Sequence, residues 1–384
     1  MPKDQLKIAF TGDFCPHLRI EKLAIDGNYK AVFNDFKKEF ESNDLNIIDL
    51  ECPLTEEITT IEKSGPHQKA HPKTIHVLKE MKVGLVAMAN NHILDYGDKA
   101  LLETIDLCKT NGITPIGVGK DLATARLPVI KEIKGKKIGF LNFCESEWTI
   151  ATDDSPGANP MDLIENYYAI QSLKQSVDKV IVIAHGGIEF YHLPSPRIKK
   201  TYRYFIDTGA DAVISHHTHC FSGYEMYKDA PIFYGLGNFV YDWPDKENDH
   251  WNFGYMVRLS IGEQIGFEII PFRQNNGAEI GVHYLSEAQD LQFLERLKEL
   301  NSIIADDHRL KSEFDKLCKE KAGIYKLYFE PYRGKIWLAL RIRKLLPDLF
   351  SRRKKLFQTN IIRCESHRDI MLSTLENEIK KKQD

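Results

Sequence analysis

Through the first 241 residues, short apolar runs of strand length alternate with segments whose apolar residues fall three and four apart. That alternation confines the chain to sheet flanked by helices, the α/β class. The runs are "LKIAFTGD", "LNIIDLE", "VGLVAMANN", "ITPIGVG", "KIGFLNF", "KVIVIAHGG", "DAVISHH" and "IFYGLGNFVY". Two crossover units can be read directly. One is strand, helix, strand over 83–118, with Asp98 the expected N-cap and Gly112 the expected C-cap of its helix. The other spans 179–215, where "PRIKKTYRYFIDTG" supplies the helix. The later runs "YMVRLSIG" and "GFEIIPF" have no helix between them and are expected to pair antiparallel. A mixed sheet, or two stacked sheets, with helices outside is the expected architecture. Beyond about 285 the pattern turns helical and charge-rich. Residues 1–285 are therefore expected to form the α/β domain and 286–384 a helical, basic extension.

The residues at the strand ends are more specific. One run ends in Asp13, another in Glu51, another in Asn91 and His92; "VIVIAHGG" carries His185, and "AVISHHTH" ends in His217 and His219. α/β proteins place functional groups beyond the carboxyl ends of parallel strands. Singly, each residue has a commonplace reading: an Asp after a strand starts a turn, Asn90 and Asn91 form turns, and a lone histidine is a satisfied, partly buried one. Five strand ends with one chemistry are poorly explained that way. Oxygen and imidazole donors without paired thiolates favour one or two divalent ions of the Mn, Fe, Zn or Mg class, and a carboxylate such as Glu51 can bridge two. His217 and His219 straddle Thr218. If extended, both point to one side; in a loop they can serve two neighbouring ions.

Assembled in order, Asp, acidic residue, Asn-His, His and His-x-His resemble the calcineurin-like metallophosphoesterase superfamily, and more closely the CapA family of poly-gamma-glutamate capsule biosynthesis proteins. The stretches that carry the resemblance include "FTGDF", "IIDLECPLT", "VAMANNHILDYG", "IAHGGIEFYHLPSP", "DTGADAVISHHTHCFSGYE" and "PIFYGLGNFVYD", spread over about residues 6–275. The resemblance implies a metallophosphoesterase-like α/β/β/α sandwich with mixed sheets. It also implies Asp13 as a ligand of a first site, Glu51 as the bridging carboxylate, Asn91, His185 and His217 at a second site, and His219 returning to the first. His92 matches the superfamily's catalytic histidine. His216 sits where the superfamily carries glycine and is given no ligand role. Cys15 stands where the superfamily has a histidine, so Cys15 and His17 are both left open as ligands.

Other residues carry weaker signals. Asp95 either orients His92 or starts the turn "DYG". Glu189, Tyr191 and His192 follow His185 on a loop expected to lie over the site, where they either contact substrate or serve only as loop residues, and Asn238, preceded by two glycines, is expected to hold the site's backbone or touch substrate. Lys63, His67, Lys69 and His71, in "EKSGPHQKAH", are read as part of a solvated loop, with reach to an anionic substrate as the alternative.

Composition bounds the class of partner. A hydrophobic fraction of 42% and a net charge of −3 describe a soluble globular chain, and no basic groove with interleaved aromatics points to nucleic acid. Seven scattered cysteines without a CxxC pair suit a reducing compartment. The first residues lack a leader's apolar core, so a cytoplasmic protein is expected. The stretch 341–355 holds seven Lys or Arg against one Asp. Two roles are open to it: packing on the domain with its charges solvated, or lying peripherally on an anionic inner membrane face, worth about 1 kcal/mol per basic residue.

The expected function is a metal-dependent hydrolase of a phosphoester, or of a polymer amide or ester, in capsule or exopolymer biosynthesis. The alternative is a non-catalytic assembly component that binds an anionic polymer or lipid-linked intermediate.

Overall fold

The computed structural model of the chain describes residues 5–327, 343, 345 and 351–380. Of the basic stretch 341–355, residues 341, 342, 344 and 346–350 lie outside the described residues. The strands run, in chain order, β1 (Leu6–Cys15), β2 (Leu45–Leu50), β3 (Val83–Ala87), β4 (Thr114–Ile116), β5 (Val118–Gly119), β6 (Val129–Ile133), β7 (Lys136–Cys144) and β8 (Gly157–Ala158). They continue as β9 (Lys179–His185), β10 (Ala212–His216), β11 (Tyr224–Tyr227), β12 (Ala230–Phe233), β13 (Asn238–Tyr241), β14 (Phe253–Ile261), β15 (Ile265–Gln274) and β16 (Val282–Tyr284).

One sheet has the order β16-β15-β14-β1-β2-β3-β4, with β13 paired to the end of β1; the other has the order β11-β12-β10-β9-β7-β6. Both are mixed. β1 to β4 are parallel and β14 to β16 antiparallel in the first, while β7, β9, β10 and β12 are parallel in the second, with β6 and β11 antiparallel at its edges.

Period-two alternation sorts the side chains into layers. Ile8 and Phe10 of β1, Ile47 of β2 and Leu85 of β3 share one core with Phe140 and Ile181 of the second sheet. The intervening residues Ala9, Ile48 and Val86 belong to another core, with Ile20, Leu78, Leu101 and Ile105 of the covering helices. Behind the second sheet, Phe143 meets Phe205 of the helix Pro196–Asp207 at 5.7 Å between ring centroids. The layers are thus helix, sheet, sheet, helix, the expected sandwich.

Both crossover units form, with details that local pattern did not supply. The helix between β3 and β4 spans Gly97–Thr110; its N-cap is Tyr96, which makes no side-chain cap, and Asp98 sits in the first turn, where a carboxylate favours the helix dipole. Asn111 closes that helix and Gly112 follows with φ +76. The run "IFYGLGNFVY" divides into β12 and β13, which join different sheets. Beyond β16, Ser286 caps the helix Glu287–Ala305, followed by Asp307–Leu327; Arg352–Arg363 and Glu365–Lys380 come last among the described residues. No helix among the described residues is long and apolar enough to cross a membrane.

Candidate metal centre and active site

Sheet register brings the strand ends together. Asp13 stands beside Asp49 on β2 and beside Asn238 on β13, and His185 stands beside His216 on β10. The β1 end is drawn tight by Gly12: an added Cβ would lie 1.7 Å from the Gly237 carbonyl, which accepts the Asp13 N–H at 3.0 Å. Gly237 itself has φ +78, a conformation that glycine adopts without strain. Between the sheets, the buried Asn142 amide accepts from the N–H groups of Met88 (3.0 Å) and Ala89 (2.8 Å) and donates to the Ile183 carbonyl (3.1 Å). This fixes the start of the loop that carries Asn90, Asn91 and His92.

After β10 the chain does not stay extended. His217 (φ +91) and His219 (φ +55) both adopt left-handed backbone, uncommon for residues with a Cβ. The His217 N–H donates to the Asp13 carboxylate at 3.3 Å, which holds the turn. The two imidazoles consequently serve different groups of donors. Glu51, His185 and His217 form one cluster; Asp13, Glu51 and His219 form another; Glu51 belongs to both. Asn91 Oδ1 lies 3.0 Å from His185 Nε2 and adjoins the first.

The distances suit a bridging ion better than direct bonds. Glu51 Oε1 is 3.6 Å from both His185 Nε2 and His219 Nε2, and among the described residues both Glu51 carboxylate oxygens are buried with no hydrogen-bond partner. Ligands about 2.1 Å from a divalent ion stand roughly 3.0–3.4 Å apart, so small movements admit one between them. An unpaired buried carboxylate is otherwise costly.

Electrostatics point the same way. Burial, then Asp13 and Asp49, pushes the Glu51 carboxyl well up. Burial opposes ionisation of Asp13 too, but His216 and His219 outweigh it and hold that carboxyl well down. Burial pushes His185 down to about 3, and burial with the neighbouring His185 ring pushes His217 far down as well. The neutral imidazoles of His185 and His217 are in the donor state a metal ion requires, whereas Asp13 outweighs burial at His219 and raises it.

Beside this centre, buried His92 places Nδ1 2.7 Å from Asp95 Oδ2. Lys63 forms an ion pair with the same carboxylate, its side chain only 3% exposed, and lies 3.1 Å from His92 Nδ1. The solvated role expected for Lys63 is therefore replaced by a buried one, and Asp95 orients His92 as well as ending the turn. A cavity of about 220 Å³ is lined by Lys63, Asn91, His92, Glu147 and Glu189, and from the last helices by Asn360, Ile361 and His367.

Other expected residues lie elsewhere. His192 places Nδ1 2.6 Å from the Phe221 carbonyl, packs on His250 and does not line this cavity. Asn238 supports His219, with Oδ1 2.9 Å from its Nδ1 and Nδ2 donating to its carbonyl, so it holds the site and does not face the cavity. His17 has both ring nitrogens engaged, by Gln68 and the Asp242 carbonyl, and Cys15 is buried beside Cys52. His216 lies 3.2 Å from Asp13 and groups with it and Asp49. Sequence reading missed Asp49, whose Oδ2 is 3.2 Å from His185 Nδ1; the alternation in "IIDLE" puts Asp49 and Glu51 on one face and was the available signal.

Residues 7–243 match the family model described as bacterial capsule synthesis protein PGA_cap, more than half of the chain. The chain belongs to this family. Capsule biosynthesis protein CapA of Bacillus anthracis is 28% identical over 248 residues, 62% of this chain and 60% of that one. PGA biosynthesis protein CapA of Bacillus subtilis strain 168 is 28% identical over 243 residues, 62% of this chain and 64% of its own. A probable polyglutamine synthesis accessory protein of Mycobacterium tuberculosis is 26% identical over 257 residues, 61% of this chain and 67% of its own. The chain thus spans less than two thirds of either Bacillus relative. Among solved structures, a hypothetical protein from Thermus thermophilus superposes with a TM-score of 0.42 at 14% identity, over 69% of this chain and 99% of that one. Both Glu51-centred groups fall inside the stretch matched by the PGA_cap family, whereas Asn360, Ile361 and His367 fall outside it.

Proposed function

We propose that the chain is a metal-dependent hydrolase of capsule or exopolymer biosynthesis, acting on a phosphoester or on an amide or ester of an anionic polymer of the poly-gamma-glutamate type. The observation that carries this reading is the Glu51 carboxylate, buried and without a hydrogen-bond partner among the described residues, between two imidazoles, one of which meets Asn91 at the wall of a cavity that His92 also lines. The family of capsule synthesis proteins supplies the biological setting.

Asp13, Glu51 and His219 would hold one ion, and Glu51, His185 and His217, with Asn91, another. Divalent ions of the Mn, Fe, Zn or Mg class supply Lewis acidity toward a phosphoryl or acyl oxygen and acidify water. The protein's own part is proton transfer and positioning. Burial opposes the Asp95 charge, but His92 and Lys63 hold its carboxyl below the usual range, so it stays ionised and keeps a proton on His92 Nδ1. Nε2 is then the nitrogen left for substrate: bare in the neutral ring, which burial and then Lys63 favour, it would take a proton as a general base, and only in the imidazolium form would it give one to a leaving oxygen as a general acid. Lys63 and Glu189 border that cavity and orient what enters it.

The test is turnover by Mn-, Fe- or Zn-reconstituted protein on p-nitrophenyl phosphate, bis-p-nitrophenyl phosphate and γ-glutamyl p-nitroanilide. Turnover lost in His92→Ala with metal content unchanged supports the reading. Metal-loaded protein with no turnover on the panel overturns it in favour of a binding role in polymer assembly. Peripheral membrane contact through 341–355 is a separate proposal that rests on its charge run. Sedimentation with anionic liposomes supports it, and failure to sediment overturns it.

A further inference from the structure

A second set of donors lies where the last helices meet the α/β domain. Cys364 is the junction between the helices Arg352–Arg363 and Glu365–Lys380, and His367 follows in the first turn of the second. Glu147 comes from the loop after β7. One ligand atom from each of Glu147, Cys364 and His367 lies within 4.8 Å of the others. None of the three belongs to either Glu51-centred group, and two lie beyond the stretch that the family matches.

The surroundings ask for a cation. Arg197 is committed to Glu145 and, at 2.5 Å, to Asp369; Lys63 is committed to Asp95. Arg363 donates to the Glu147 main-chain carbonyl (3.1 Å) and lies 5.0 Å from the centre of the Trp148 ring. The Glu147 carboxylate accepts a long hydrogen bond from Asn360 Nδ2 (3.5 Å) and stands 4.0 Å from His217 Nε2. An independent observation comes from that same Asn360 amide: its Nδ2 reaches Glu147, and its Oδ1 is buried with no hydrogen-bond partner among the described residues.

We propose that Glu147, Cys364 and His367 bind a zinc-type divalent ion that fastens the helices 352–380 to the α/β domain at the wall of the active-site cavity. Thiolate, imidazole and carboxylate together select zinc, iron or cobalt over magnesium or calcium. Tetrahedral donors about 2.0–2.3 Å from zinc stand roughly 3.3–3.8 Å apart, so the set closes by about 1 Å of side-chain movement. The fourth position falls to the Asn360 amide oxygen or to water.

Cobalt substitution of the full chain tests this without reference to activity. Neither Glu51-centred group contains a cysteine, so a thiolate-to-cobalt absorption band that Cys364→Ser removes reports the proposed site. The band is expected in the wild type and in Glu51→Ala, and is expected to vanish in Cys364→Ser. His367→Gln, a second variant in case Cys364→Ser fails to fold, should lose one equivalent of zinc. No band in the wild type, a band that survives Cys364→Ser, or a band abolished by Glu51→Ala would overturn the proposal. If Glu51→Ala instead keeps all its metal while Cys364→Ser loses one equivalent, the principal-centre reading fails and this one stands.

Discussion

His92 and Asp95 face each other across 2.7 Å, Nδ1 to Oδ2, with both side chains buried. A carboxylate at Nδ1 fixes the tautomer and leaves Nε2 for the substrate. His92→Ala should lower kcat by about 10²- to 10⁴-fold, the usual worth of a positioned general acid or base. Asp95→Asn should lower it by about 10- to 100-fold. Parallel assays of turnover and metal content check this; unchanged kcat in His92→Ala would remove it from the chemistry.

Gly12 tests how the site is held. Its substitution by alanine puts a Cβ 1.7 Å from a main-chain oxygen, which no rotamer change relieves. Gly12→Ala should destabilise the chain by about 3 kcal/mol or more. Gly266→Ala, whose Cβ would meet Ser260 at an ordinary 3.9 Å, is the control and should be near neutral. Urea denaturation of both decides it, and equal stabilities would contradict the packing described.

Much of this arrangement is legible in the sequence, for a definite reason. Asp13, Glu51, Asn91, His92, His185, His217 and His219 each lie at or just after a strand end, and parallel sheets gather strand ends at one edge, so local pattern defines their neighbourhood. Asp49 escapes that reading although strand alternation aligns it with Glu51. Lys63 is misjudged because a loop's burial depends on what packs over it. Asn360 and His367 are out of reach: they are more than 200 residues from Glu147 in sequence, and periodicity carries nothing about such contacts. The left-handed backbone at His217 and His219 likewise comes from tertiary structure, since neither residue favours it.

His192 makes a prediction about acid. Burial first, and His250 after it, push this histidine from 6.5 down to about 4. The unfolded chain takes up a proton at higher pH than the folded one. The associated stability is therefore fully present above 6.5 and is lost as pH falls from 6.5 toward 4, by up to about 3 kcal/mol. His192→Asn can keep a donor to the Phe221 carbonyl and should lose stability less steeply than wild type between about pH 7.5 and 4.5. Parallel pH dependences in urea denaturation would contradict the assignment.

Metal should also stabilise the fold. An ion at about 1,000 times its Kd adds roughly 4 kcal/mol. Chelation should lower Tm by several degrees and readdition should restore it; a Tm indifferent to chelator would count against buried ligands of this kind.

The metal-centre reading turns on Glu51 belonging to two ligand groups at once. Metal content by mass spectrometry decides it, measured in the Cys364→Ser background so that the second set of donors does not contribute. One or two equivalents of Mn, Fe or Zn are predicted there, all lost on adding Glu51→Ala, with at most one lost on adding His217→Ala or His219→Ala. Metal retained in full after Glu51→Ala, or none bound by the parent even after reconstitution, would contradict it.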